Sequence, residues 1–211
     1  MKFPESTLAH YWIDPLDKPA NLGIEIGGSA HNPFTFKTKL NVDYSDSLDT
    51  IYKQEEIKLC GEALPVNIVA FGDELPFTDG QLSYVINSHL FEHLPNPIRA
   101  LLEWWRILKP GGIIYSVVPF RDAAPQDVKR SVTTLGHLVA DYFYGRDYET
   151  HPVAEGYDKY GHYHVYTLDS YLRLIDLVNE IPDSSMFEVV DMLKTCDKVP
   201  NGFVVVLKAI K

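Results

Sequence analysis

The stretch NSHLFEHLPNPIRALLEWWRILKPGG, residues 87–112, decides how the rest of the chain is read. Tyr84, Val85 and Ile86 precede it as a short apolar run of the kind that a parallel sheet buries on both faces. Asn96 can cap a helix that begins at Pro97, because proline lacks only a donor that the first helical turn leaves unpaired. Ile98, Leu101, Leu102, Trp105 and Leu108 then fall at helical spacing as one apolar stripe. Pro110 and the Gly111-Gly112 pair are expected to end that helix and turn the chain into a strand from Ile113 to Val118. This order puts Asn87, Ser88 and His89 at the carboxyl end of a strand, where open α/β sheets bind their ligands.

In order and spacing the segment resembles the small-molecule, type 11-like class I S-adenosylmethionine-dependent methyltransferases. The resemblance implies a doubly wound, mostly parallel seven-stranded sheet of the Rossmann-like methyltransferase fold, with an antiparallel edge. S-adenosylmethionine would be the cofactor. Upstream, NLGIEIGGSAHNPF (21–34) reads as a strand running into a glycine turn, and Glu25, Gly27 and Gly28 sit where the family has its acidic residue and glycine-rich loop. Ser29 and His31 depart from it, standing where glycine is usual. Next, LNVDY (40–44) ends a strand at Asp43, the place of the family's ribose-binding acid. A carboxylate suits that task because it only accepts and can take two donors at once. Only 14 residues separate Gly28 from Asp43, so the helix of that crossover must be short or absent. In VNIVAFGDELPFTDG (66–80), Asp73 is the nearest acid to the family's adenine-contacting position, although Phe71 or Gly72 could take it. Asn87, Ser88 and His89 would face the methionine half of the cofactor.

The remaining pattern gives strands at 40 to 44 and 66 to 71 with a helix near 48 to 59 between them. Further on come a Thr167-capped helix over 168 to 178 and two closing strands, 187 to 193 and 203 to 210. The whole chain, 1–211, reads as one methyltransferase-like domain in which 119–167 is an insertion forming a substrate lid. Eight of the 13 tyrosines lie between Tyr142 and Tyr171, a composition that suits either a ring-bearing acceptor or the lid's own packing. Four histidines lie there or nearby: His137, His151, His162 and His164. Of these, His151, His162 and His164 are the candidates for acid-base catalysis. Two metal pairings stand beside that reading: His162 with His164 on an extended segment, and His137 with Asp141 on a helix. Ordinary polar packing is the third alternative.

His89, Glu92 and His93 spell H-x-x-E-H, the pattern of inverted zinc peptidases, which needs a helix to bring both histidines to one face. A zinc-dependent hydrolase and a catalytically silent cofactor-binding module are therefore the rival readings. With 29 acidic against 19 basic side chains, a net charge of −10 and no basic run, nucleic acid is a poor partner and a small-molecule acceptor a better one. No apolar run reaches the length of a membrane span, no signal peptide is apparent, and two scattered cysteines fit a reducing cytoplasm.

Overall fold

The computed structural model describes residues 2–157, 159–181 and 185–211. Seven strands form one sheet: β1 (Gly23–Ile26), β2 (Lys39–Asp43), β3 (Ile68–Val69), β4 (Leu82–Ser88), β5 (Leu108–Pro119), β6 (Phe187–Leu193) and β7 (Gly202–Ala209). Their order is β3-β2-β1-β4-β5-β7-β6. The first five are mutually parallel, and β7 runs antiparallel to both β5 and β6. This is the doubly wound sheet with an antiparallel edge that the central stretch implied.

The period of two along β4 divides the core. Val85 joins the face covered by α3 (Pro97–Ile107) and α5 (Leu168–Asn179), through Ile98, Leu101, Trp104, Tyr171, Leu174 and Ile175. Tyr84 and Ile86 join the other face, with Tyr115, Val204 and Val206. Residues 27–38, between β1 and β2, contain no helix, as their short spacing required. That face is dried instead by α1 (Thr7–Ile13), through Ala9 and Ile13, and by Phe34 and Phe36 of the β1–β2 connection. No pattern in the sequence announces α1.

Asn96 caps α3 as expected, its side chain accepting from the Arg99 amide at 3.0 Å. Thr167 caps α5 through a reciprocal box with Ser170. The stop after α3 is different. The helix passes at once into β5 at Leu108, and Pro110, Gly111 and Gly112 lie inside that strand. The register with β4 jumps between Leu82 and Tyr84, so the prolyl-glycyl run makes a bulge, with Gly111 at φ +75°. The strand expected at 66 to 71 shrinks to two paired residues. α2 (Ile51–Cys60) occupies the expected position, but it buries Lys53 and Glu56 where an amphipathic helix would bury apolar side chains.

From 119 to 167 the chain carries α4 (Leu135–Phe143), which places Leu138 in the core against α3 and α5. The end of this segment is tied to the turn after β4: the amides of Tyr163 and His164 donate to the Glu92 carbonyl at 2.9 and 3.2 Å. Cys60 and Cys196 are free thiols. Among the described residues no helix is long and apolar enough to cross a membrane.

Candidate functional site

A cavity of about 660 Å³ opens beyond the carboxyl ends of β1, β2 and β4. There the winding reverses, since β1 has β2 on one side and β4 on the other. Gly27 and Gly28 form its floor, Asp43 and Tyr44 one wall, Ser88 to Leu90 the opposite wall, and Tyr148, Tyr160 and His162 its roof. Gly27 has φ +68°, and its amide donates to the Val42 carbonyl at 2.9 Å. At Gly28 a Cβ would stand 2.7 Å from Glu25 Cδ and 2.9 Å from Leu64, so only glycine lets these segments approach. His89 takes a left-handed φ of 53°, a strained conformation for a side chain with a Cβ, directly at the cavity edge.

Two lysines hold the acids of the cavity. Glu25, 1% exposed, is paired with Lys39; burial pushes its carboxyl pKa up and the Lys39 charge opposes this. Burial likewise raises Asp43, against the pull of Lys53, whose Nζ lies 3.6 Å away. Lys53 also pairs with Glu56 at 3.1 Å. Glu56 in turn accepts from the amides of Ala30 and Leu64, fastening the glycine turn to α2.

A second group of titratable side chains faces the same space. His162 Nδ1 contacts the Asp127 carboxylate, which Arg130 holds at 2.6 Å. Its Nε2 lies 3.8 Å from Glu92, and His93 Nε2 lies 3.6 Å from the same oxygen. Burial raises the Glu92 pKa to about 8 and lowers His93 to about 3 and His89 to about 4. It also lowers His162, with Asp127 pulling the other way.

Of the cofactor candidates, Glu25, Gly27, Gly28, Asp43, Ser88 and His89 line the cavity together. Asn87 does not; it is fully buried and donates to Ser116 Oγ at 2.8 Å, because alternation turns it into the sheet. Asp73 is also absent from the lining. It lies in a shallow second cleft facing Arg99 at 3.8 Å, while its neighbours Ala70 and Gly72 line the cavity. Of the three catalytic candidates only His162 reaches it. His151 and His164 are buried outside it, beside His137 and Asp141. The H-x-x-E-H reading fails on local geometry: residues Phe91–His93 form a single 3-10 turn with His89 outside it, so no helical face joins the two histidines.

The methyltransferase domain family matches residues 27–116. An uncharacterized protein of Methanocaldococcus jannaschii is 31% identical over 106 residues, which is 50% of this chain and 48% of that protein. An uncharacterized methyltransferase of a Mycobacterium species is 41% identical over 44 residues, 21% of this chain and 18% of its own length. The chain thus spans half or less of the length of these curated relatives. A crystal structure of an S-adenosylmethionine-dependent methyltransferase from Methanosarcina mazei superposes with a TM-score of 0.52 at 15% identity, covering 97% of each chain. The PH0226 protein of Pyrococcus horikoshii gives 0.53 at 17% identity, over 96% of this chain and 90% of its own. Residues 27–116 thus resemble the methyltransferase domain family, and the chain shares the fold of these solved structures.

The residues present fit S-adenosylmethionine, the methyl donor named for the Methanosarcina mazei neighbour. That molecule carries a sulfonium and an ammonium against a single carboxylate, and its ribose offers two hydroxyl donors. The cavity meets them with the carboxyl groups of Glu25 and Asp43 and with polar atoms that lack a partner: Asn32 Oδ1 and the carboxyl oxygens of Glu92, all buried without a hydrogen bond among the described residues. Sequence reasoning missed Lys53, Glu56 and Asp127 as parts of this site. The first two read as an ordinary exposed i, i+3 pair on a helix, and Asp127 gains its meaning only from His162, 35 residues later.

Proposed function

We propose that the protein transfers a methyl group from S-adenosylmethionine to an oxygen or nitrogen of a small-molecule acceptor. The observation that carries this reading is one cavity that gathers Glu25, Asp43 and the glycine turn on one side and His162 on the other. The bound donor supplies a methyl group already activated by the positive charge on its sulfur. Glu25 and the Gly27-Gly28 backbone would hold its methionine half, Asp43 its ribose, and the loop carrying Ala70 and Gly72 would flank its adenine. His162 is the base: Asp127 fixes its ring through Nδ1, which leaves Nε2 to take a proton from the acceptor. Because burial keeps the Glu92 proton on at neutral pH, no second charge forms beside that nitrogen.

The segment 119–167 serves as a lid in this proposal. Tyr148 stacks on Phe71 with ring centroids 4.4 Å apart, and Tyr160 lies against Tyr44 at 4.6 Å. These two tyrosines would give a ring-bearing acceptor flat walls. Tyr163, Tyr166 and Tyr171 are buried in the packing of the molecule itself.

One observation favours a cofactor-binding module without turnover. In the altered glycine turn, Ser29 Oγ is bonded to His31 Nδ1 at 2.6 Å and the Ala30 amide is taken by Glu56, so neither that hydroxyl nor that backbone donor is left for a ligand. Calorimetry with S-adenosylmethionine and S-adenosylhomocysteine separates the readings. Both should bind, and Asp43→Ala should weaken binding by roughly 10- to 100-fold, the worth of a charge-assisted hydrogen bond. A folded Asp43→Ala protein with unchanged affinity sinks the ribose assignment. Binding without transfer to any acceptor in a broad screen points to the silent module.

A further inference from the structure

A group of side chains outside the cavity has no part in the chemistry above. His137 and Asp141 lie one turn apart on α4, His151 follows in the next loop, and His164 lies in the extended segment before α5. His164 is 0% exposed, Asp141 4% and His151 6%. We propose that these four side chains form a closed, four-ligand site for a zinc-class divalent cation that staples the lid together.

The distances carry the argument. His137 Nε2 lies 3.3 Å from Asp141 Oδ2, and His151 Nε2 lies 3.4 Å from Asp141 Oδ1 and 3.4 Å from His137 Nε2; His164 Nε2 is 3.8 Å from Asp141 Oδ2. Ligands bound to zinc at about 2.0 to 2.1 Å in a tetrahedron stand roughly 3.3 to 3.4 Å from one another, close to the separations seen here, and one ligand atom from each of the four residues lies within 4.8 Å of the other three. The three rings do not stack. Their centroids are 5.2 to 5.6 Å apart and their planes cross at 66°, 73° and 85°, each turning an edge toward the others.

The hydrogen-bond balance leads to the same place. Asp141 Oδ2 and the ring nitrogens of His164 are buried without a well-formed hydrogen bond among the described residues, although the Pro95 backbone lies beside the His164 ring, and this is costly for polar groups shut away from water. A cation at the centre satisfies the converging atoms together. His151 Nδ1 sits 2.9 Å from the Pro152 carbonyl; donating there leaves Nε2 as the free lone pair, the outer-shell arrangement usual for a ligating histidine. Four protein ligands leave no open position, so the cation would be structural. Its effect would reach the active site through the chain, since the amide of His164 and that of its neighbour Tyr163 are bonded to the Glu92 carbonyl at the cavity wall. Glu92, His93 and His162 form a separate three-donor group on the cavity itself.

The test uses the full chain, stripped with chelator and titrated with zinc alone and, separately, with cobalt(II). One zinc per chain should bind and raise the Tm, and cobalt should give the intense visible absorption of a four-coordinate site. His137→Ala, at a half-exposed position that folding tolerates, and Asp141→Asn should each weaken zinc roughly 10- to 100-fold or more and bleach the cobalt band. His162→Ala should keep both signals. A wild-type protein that binds no zinc and gains no Tm overturns the proposal whatever the variants do. So does zinc that is lost in His162→Ala but kept in His137→Ala, or a pale six-coordinate cobalt spectrum.

Discussion

His162 lines the cavity with Nδ1 held against the Asp127 carboxylate, and Asp127 reaches it from a different part of the segment 119–167. Burial moves its pKa below the ordinary 6.5 while Asp127 opposes the shift. A base must be unprotonated, so turnover at saturating acceptor should be flat above neutrality and fall with acid through a pKa lower than 6.5. Asp127→Asn removes the upward pull and should move that acid limb lower still. His162→Ala should reduce kcat by roughly 10²- to 10⁴-fold. A limb centred at or above 6.5, or full kcat without the imidazole, would reject the assignment. In the sequence His151, His162 and His164 stand as equals. What separates them is the course of the segment 119–167, which brings His162 to the cavity and the other two to Asp141. Long-range pairing of that kind leaves no local trace, whereas Glu25, Gly27, Gly28 and Asp43, which the resemblance singles out, follow strand ends and line one cavity.

At the level of the elements, Gly23 shows how one strand depends on another. A Cβ there would lie 2.1 Å from the Tyr84 ring, which crosses β1 to bring its hydroxyl within 3.2 Å of Thr38 Oγ1 and 3.4 Å of Asp17. Gly23→Ala should therefore destabilise the protein by about 1 to 3 kcal/mol, the usual cost of overpacking, and lower its Tm. A variant with unchanged Tm would mean that the ring can move aside at no cost. The sequence announced most strands and the capped helices, because alternation, Asn96 and Thr167 are local signals. It hid the bulge in β5, where Pro110 and two glycines carry the same letters as a helix stop. It hid α1 as well, since seven residues with two buried side chains make too faint a pattern to distinguish from a loop.

Stability of the whole molecule is tied to pH through groups shut in around the cavity. Glu92 holds its proton up to about pH 8, against an ordinary 4.5, so its contribution is complete below pH 4.5 and is lost as pH rises toward 8. His93 is shifted from 6.5 to about 3, so its contribution is complete above pH 6.5 and is lost as pH falls toward 3. Glu92→Gln keeps the shape and removes the titration. It should flatten the decline in Tm between pH 5 and 9. The gain in stability at pH 9 should be on the order of a few kcal/mol, since each tenfold change in proton affinity on folding is worth about 1.4 kcal/mol. A decline as steep as that of the wild type would place its origin elsewhere. The placement of α1 bears on where this molecule can be cut. The match to the methyltransferase domain family begins at residue 27, yet the helix that helps to keep Tyr84, Ile86 and Tyr115 dry lies at Thr7–Ile13. A fragment trimmed to the matched part would lose that helix together with β1, Glu25 and the antiparallel edge: the frontier of likeness runs inside the frontier of folding.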